Sequence, residues 1–470
     1  MVALVALVLL ATSVTLSNAS PWELDPLRWA GGTSIYFTGP DVNNVPYEVP
    51  EGCVVDTAAF VSRHGARFPD PGSYQGWVTL ASKIHNASFT VSREGSDLDF
   101  IKTWQPVVRH PTEDVAKLNL LGYQELYDMG VGYRYRYPDF YTPNTPFVLW
   151  SNLYSASPRV VDSARLFTRG YMGPNSTMGS IYVLNSKDPL AIANSLGPSD
   201  ACPTYADTEG GNSTATWNGI YLPPITKRIN SLLKGNLNFT TSDVSIFPTL
   251  CTYETAITGK RSQWCNVFSD SELRDFEYAQ DLRYYYGHGP GSLKNSTMML
   301  PVLNAIVKSF QNGPNKTYTN SDGTTFVPPP LLAMFANDGQ INQLVSQTGV
   351  FDDESPLPST YRPKNQRYLS NRFVTMKGTV GFERLTCSNQ QYMRITLNDA
   401  VYPVPSCKSG PGASCPLSQY ASLIAKKNQA AGSLVEVCKI NATQRTISEK
   451  TNTATFLFDL ALPFAQVVKP

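Results

Sequence analysis

The sequence predicts an α/β fold: a mainly parallel central sheet with flanking helices, plus an inserted, mostly helical cap over roughly residues 195–300. Three observations carry this prediction. Short, charge-poor runs rich in apolar and β-branched residues recur along the chain, as expected of strands buried on both faces. Stretches with apolar residues at helical spacing lie between them. The residues with the most chemical promise follow directly on strand ends, where ligands bind in open α/β sheets.

The elements follow in order. Residues 53–62 (CVVDTAAFVS) carry a single charge, Asp56, and read as a buried parallel strand. That run leads into Arg63-His64-Gly65-Ala66-Arg67-Phe68-Pro69, after which Pro69 and Pro71 break the chain. From residue 74 to 85, Trp77, Leu80, Ala81 and Ile84 recur at helical spacing. Residues 118–133 form a second amphipathic pattern, with Leu121, Leu126 and Met129 near one face. A strand is expected at 147–150, a helix at 159–171 with Pro158 just before it, and a strand at 180–184. The cap region differs in character: a Gly/Ser/Thr/Asn-rich patch at 206–219 and three glycosylation sequons sit among helical patterns. Residues 331–336 (LLAMFA) return to a buried strand, followed by Asn337-Asp338-Gly339 and a helix over 341–348. A pair of strands is expected at 381–387 and 392–398.

Composition narrows the functional classes. Of 470 residues, 42% are hydrophobic, which supports a sizeable core and excludes a disordered chain. Lys and Arg number 38 against 37 Asp and Glu, so the net charge is +1, there is no basic stripe, and nucleic acid is excluded as a partner. Residues 2–16 are apolar and lead to Ser17-Asn18-Ala19, small residues suited to cleavage after Ala19. Residues 1–19 therefore read as a secretory signal peptide, because the run falls short of the roughly 20 apolar residues of a membrane span. The C-terminal FLFDLALPFAQVVKP is too short and broken for a lipid-anchor signal, so no membrane anchor is expected. The expectation is a secreted protein, extracellular or held in a cell wall, with residues 20–470 as one unit. Eight cysteines (Cys53, Cys202, Cys251, Cys265, Cys387, Cys407, Cys415 and Cys438) suit four disulfides in an exported chain. None lies in a CxxC pair, so no metal or other cofactor is called for. Seven sequons follow the leader, at Asn86, Asn175, Asn212, Asn238, Asn295, Asn315 and Asn441, and fit a glycoprotein.

The motif after the first strand packs two guanidiniums and an imidazole into five residues, 63–67. Like charges this close repel unless an anion lies between them, and arginine presents forked donors that match phosphate oxygens. A nearby helix start would add backbone N–H donors for the same anion. Of the other histidines, His85 reads as exposed at a helix end and His110 as a turn residue before Pro111. His288 reads as structural, with a cleft-lining role as the alternative. Asp70, Glu277 and Asp281 are weaker candidates to face a substrate.

RHGARFP resembles the RHGxRxP signature of the histidine acid phosphatases. LNLLGYQELYDMGVGYRYRYP (118–138) and SPRVVDSARLFTRGY (157–171) resemble further segments of that family. NSLGPSDACP (194–203), DLRYYYGHGPG (281–291) and NDAVYPVPSCKSGPGASCPL (398–417) are similar to its fungal phytase and broad acid phosphatase branch. The resemblance runs from about residue 50 to the C-terminus. It implies the phosphoglycerate-mutase-like fold of the family and a secreted enzyme that hydrolyses small-molecule phosphate monoesters, phytate among them. By the same resemblance His64 is the nucleophile that becomes a phosphohistidine. Arg63, Arg67 and Arg159 bind the phosphate, and Asp338 protonates the leaving oxygen. The resemblance further implies the long disulfides Cys53–Cys387 and Cys202–Cys438. The short ones, Cys251–Cys265 and Cys407–Cys415, are expected because neighbouring cysteines close cheaply.

The chain departs from the family where His-Asp is expected, because Asn337 precedes Asp338. An asparagine amide can donate to a phosphate oxygen as a neutral imidazole would, yet it carries no charge in acid. The expectation is activity that survives with altered pH dependence, Asp338 holding its proton to higher pH than it would beside a histidine. A competing reading is a phosphate-ester-binding pseudoenzyme weakened by Asn337. A mutase-type transferase is a third, which export and disulfides argue against. A homo-oligomer is compatible with the sequence.

Overall fold

A computed structural model describes residues 25–39, 42–92, 97–153, 157–440 and 452–470; the leader at 1–19 and the sequon at Asn441 lie outside them. Its centre is a nine-stranded sheet. In chain order the strands are β1 (Cys53–Arg63), β2 (Phe147–Asn152), β3 (Gly179–Leu184), β4 (Leu331–Ala336), β5 (Thr379–Cys387), β6 (Gln390–Leu397), β7 (Ala400–Val401), β8 (Cys415–Pro416) and β9 (Ala465–Val468). In space they run β7-β6-β5-β1-β4-β2-β3-β9, with β8 also paired to β6. The four central strands β1, β4, β2 and β3 are parallel. The outer strands are antiparallel to their neighbours, including the predicted pair β5–β6.

Parallel strands need crossovers, and helices supply them. Helices α1 (Pro71–His85) and α2 (Leu120–Arg136) connect β1 to β2, and α3 (Arg159–Met172) connects β2 to β3. Between β3 and β4 come α4 (Gly211–Ser231), α5 (Phe247–Thr258), α6 (Asp270–His288) and α7 (Leu300–Asn312). Helix α8 (Asp338–Gln347) follows β4, and α9 (Leu417–Ala431) follows β8.

Alternation along the central strands divides the core into two layers. Ala58 and Phe60 of β1 and Leu331, Ala333 and Phe335 of β4 face α2 and α3. Ala59 and Val61, with Leu332, Met334 and Ala336, face the larger layer. β4 has no polar residue because both its faces are covered. On the α2–α3 side, Phe60, Phe167 and Phe335 meet with ring centroids 5.2 to 5.6 Å apart. Each such burial is worth roughly 1.5–3 kcal/mol.

Two boundaries differ from the sequence reading for a physical reason. The prolines read as a break start α1: Pro71 occupies its first turn, where a missing N–H leaves no bond unmade. Helix α8 begins at Asp338 rather than at Ile341, with Asn337 as its N-cap. Four disulfides join Cys53–Cys387, Cys202–Cys438, Cys251–Cys265 and Cys407–Cys415. No described helix is long and apolar enough to cross a membrane.

Candidate active site

The sheet register assembles the site. β1 and β4 run parallel from Ala58 beside Leu331 to Arg63 beside Ala336. The next residues, His64 on one strand and Asn337-Asp338 on the other, therefore leave the sheet side by side. β2 pairs with β4 at Ser151 and Phe335, and α3 starts just beyond it at Arg159. All the candidate residues thus gather at the carboxyl ends of parallel strands.

The motif loop is pinned against α2. A Cβ on Gly122 would lie 2.0 Å from the carbonyl oxygen of Ala66, and one on Gly65 would lie 2.2 Å from Leu126 Cδ2. Only glycine permits this approach at both positions. The Ala66 N–H donates to Glu125 Oε2 at 2.8 Å, and the Gly65 N–H donates to Ser163 Oγ at 3.2 Å. The Lys377 N–H donates to the His64 carbonyl at 2.8 Å.

His64 is 1% exposed. Its Nδ1 lies 2.9 Å from the Gly65 carbonyl oxygen. A carbonyl only accepts, so Nδ1 carries the hydrogen and Nε2 keeps its lone pair. Burial, then Arg159, Arg63 and Arg67, push the imidazole well below its ordinary pKa, so it stays neutral in acid.

Each arginine is braced. Arg63 Nη1 donates to the Gly32 carbonyl and, at 2.6 Å, to the Val374 carbonyl, while Nη2 lies 3.2 Å from Asp338 Oδ2. Arg67 donates to the Phe68 carbonyl at 2.9 Å and to Asp70 Oδ2 at 2.7 Å. Arg159 donates to the Ala116 carbonyl at 3.2 Å and sits 3.7 Å from Asp70 Oδ1. Asp70 thus bridges two guanidiniums from distant parts of the chain. The Nε atoms of Arg63 and Arg67 are buried without a partner among the described residues, as donors arranged for an anion would be.

Asp338 Oδ2 also accepts from the Tyr284 hydroxyl at 2.9 Å, and Oδ1 accepts from the Gly339 N–H at 3.1 Å. Burial pushes this carboxyl up, but the guanidiniums of Arg63 and then Arg283 outweigh it and hold it well below the usual carboxylate range. The expectation that Asp338 holds its proton to higher pH than it would beside a histidine is a comparison with another side chain at 337; with Asn337 in place, Arg63 and Arg283 are the cations that act on the carboxyl. Asn337 donates its N–H to Gln340 Oε1 at 3.2 Å.

The remaining candidates fall as follows. His85 and His110 are exposed. His288 is buried; its Nδ1 accepts from Asn342 Nδ2 at 2.8 Å, and Nε2 lies 3.8 Å from Asp207 Oδ2. It has structural bonds and also stands near the site, since the Asp338 charge acts on it. Glu277 and Asp281 are each 1% exposed and do not face a substrate, contrary to expectation, because backbone N–H groups behind the site enclose them. The sequons at Asn86, Asn212, Asn238 and Asn315 are exposed and Asn175 is half-buried. Asn295 is not available for a glycan: it is 7% exposed, and its Nδ2 donates to the carbonyls of Ala206 and Gly287. The sequence reading missed Arg283 and Tyr284. Their signal was spacing: Tyr284 lies one helical turn before His288, on the same face of α6.

Three arginines whose charges act on one neutral histidine beyond a strand end suit the binding and transfer of a phosphoryl group. Comparison with known proteins agrees. Residues 54–398 match the model of the histidine phosphatase superfamily, branch 2, and the chain belongs to that family. It is 31% identical over 442 residues to the thiamine-repressible acid phosphatase pho4 of Schizosaccharomyces pombe, covering 88% of this chain and 90% of that one. It is 27% identical to the phytase PHO112 of Candida albicans, covering 91% and 90%. Its fold is that of the crystal structure of the phytase from D. castellii, with a TM-score of 0.82 at 24% identity over 97% and 96% of the two chains.

Proposed function

We propose that this chain is a secreted phosphomonoester hydrolase, phytate among its substrates, that works through a phosphohistidine on His64. The observation that carries this is the fixed tautomer of a neutral imidazole enclosed by three braced guanidiniums. The relatives named acid phosphatase and phytase support it, and the four disulfides support export.

In this reading Arg63, Arg67 and Arg159 bind the phosphoryl oxygens and neutralise the charge that spreads over them in transfer. Nε2 of His64 attacks phosphorus in line, and the bond from phosphorus to the ester oxygen breaks. Asp338 gives that oxygen a proton as it leaves. A water then attacks phosphorus, Asp338 takes its proton, the bond to Nε2 breaks, and inorganic phosphate departs. Asp338 is ionised in the free protein, so its proton arrives with the substrate monoanion. The Asn337 amide donates to a phosphoryl oxygen in place of an imidazole. Residues 195–300, read as a cap, supply Arg283 and Tyr284 on the leaving-group side.

The test is phosphate release from p-nitrophenyl phosphate at acid pH with chelator present. His64→Ala is expected to lower turnover roughly a thousandfold or more. Rapid quenching of the wild type in alkaline denaturant is expected to trap a phosphoenzyme that is stable in base and lost in acid. A fully active His64→Ala overturns the mechanism. Phosphate binding without turnover at any pH favours the pseudoenzyme.

A further inference from the structure

Behind Arg63 lies a carboxylate pair that the reaction above does not use. Glu277 and Asp281 sit one turn apart on α6, and each is 1% exposed. Glu277 accepts from the Gly31 N–H at 2.6 Å, the Asn371 N–H at 3.1 Å and Ser370 Oγ at 3.2 Å. Asp281 accepts from the Ser370 N–H at 2.7 Å and Gln366 Nε2 at 2.6 Å. Every one of these donors is neutral. None of the ion pairs among the described residues involves either carboxyl. The two carboxyls, one helical turn apart, both bond the same residue, Ser370. Two carboxylates in one dry site cannot both be ionised, so a proton belongs between them.

The pair grips two chain segments, and those segments brace Arg63. Gly31, held by Glu277, precedes Gly32, whose carbonyl accepts from Arg63 Nη1. Ser370, held by both carboxyls, accepts the Val374 N–H at 2.9 Å, and the Val374 carbonyl is the other acceptor for Arg63 Nη1. Asn371 Nδ2 ties the segments together by donating to the Arg28 carbonyl at 2.7 Å.

We propose that Glu277 and Asp281 are a positioning pair whose shared proton clamps both segments beneath Arg63, so that losing this proton to solvent loosens the guanidinium and weakens phosphate binding. This rests on the reading above only in taking Arg63 as a phosphate ligand.

Burial supports the sign. It pushes Asp281 up to about 7 and Glu277 well above the ordinary carboxylate range. A carboxyl raised on folding lends stability that is complete below its unfolded value of about 4 and is lost as pH rises toward neutrality. Besides the pair, α6 carries Asp270, Glu272, Arg274, Asp275, Tyr278, Arg283, Tyr284, Tyr285, Tyr286 and His288; the 366–374 segment carries Arg367, Tyr368 and Arg372, and Arg28 and Arg63 stand on the other packed segments. Arg63 is engaged with Asp338 and Arg367 with Asp353. Arg28 lies over Phe37 and Arg274 over Trp29. Burial keeps Tyr278 and Tyr368 neutral.

The experiment measures inorganic phosphate affinity of the full chain from about pH 5 to about pH 8, for wild type, Glu277→Gln and Asp281→Asn. The ratio between proteins at each pH cancels the titration of phosphate, His64 and Asp338. In Glu277→Gln the NH2 that replaces one acceptor oxygen forfeits the bond from Gly31 or Asn371 at every pH, and no proton is shared between two carboxyls, so its affinity is lower throughout and lacks this pH-dependent loss. Wild type is expected to lose about tenfold more affinity than this variant as pH crosses neutrality. Parallel losses in a folded variant overturn the proposal, and Asp281→Asn repeats the test on the other partner. If neither variant folds, wild-type amide exchange decides. Protection of Gly31, Ser370 and Asn371 is expected to fall over the same pH window beyond intrinsic base catalysis, and unchanged protection overturns the clamp. A wild type that binds no phosphate at any pH would instead refute the site reading, and amide exchange would still judge the clamp.

Discussion

A proton donor must be protonated when the ester oxygen leaves, yet Asp338 is held ionised in the free protein by Arg63 and Arg283. The two facts are reconciled if the bound phosphate draws the positive charge of Arg63 away from the carboxylate and brings its own proton. Turnover should then follow the substrate monoanion and decline above about pH 6, where phosphate esters lose their second proton. Asp338→Asn is expected to slow esters of alkyl alcohols far more than p-nitrophenyl phosphate, whose phenolate leaves with little help. Equal losses on both substrates would show that Asp338 does not protonate the leaving group. Stability gives a second check with a definite sign. A carboxyl lowered on folding stabilises above its unfolded value of about 4, and that contribution disappears as pH falls through the folded value. Asp338→Asn should therefore be less stable than wild type near neutrality and approach it in strong acid, as read from thermal unfolding across pH.

At the scale of elements, the site depends on how closely the motif loop rides on α2. Gly122→Ala would drive its Cβ to 2.0 Å from the Ala66 carbonyl, and the other nearest atoms are also backbone, so the loop itself must move. Overpacking of this kind costs roughly 1–3 kcal/mol. Gly132, on the same helix, has nothing within 4 Å of the point where a Cβ would stand. Gly132→Ala should thus stabilise by about 0.5–1 kcal/mol through helix propensity. The pair predicts opposite shifts in melting temperature, with phosphate affinity falling only for Gly122→Ala. Elements of this kind also show how much the sequence revealed. β1 and β4 were legible because strands buried on both faces are written as unbroken apolar runs. β9 was not, since its half-exposed edge residues Ala465–Val468 carry no periodicity. Arg63, His64 and Arg67 could be read because they are contiguous. Arg159 came from resemblance alone; Asp338 came from resemblance and from its place just after a buried strand, although no local pattern announces that a register between β1 and β4 will bring position 338 to position 64. The bracing carbonyls of Gly32, Ala116 and Val374 have no sequence signature at all, because any residue supplies a backbone oxygen.

For the whole molecule, the disulfides divide by the length of chain they close. Cys53 and Cys387 are register partners where β1 begins and β5 ends, 334 residues apart in sequence. Cys407 and Cys415 are separated by 8. In the chain-entropy account a cross-link stabilises by restricting the unfolded chain, and the longer loop should contribute about 3 kcal/mol more than the short one. The bond also joins the end of β1 opposite Arg63, away from the arginines and His64. Replacing Cys53 and Cys387 together by serine is therefore expected to lower the urea midpoint well below that of the Cys407→Ser, Cys415→Ser double variant. Turnover per folded molecule should stay near the wild-type value in both. Equal midpoints would mean that native-state packing, rather than the unfolded chain, sets what these bridges contribute. A loss of turnover in the Cys53 and Cys387 variant at a temperature where it remains folded would mean that strain at the start of β1 reaches the catalytic end of the strand.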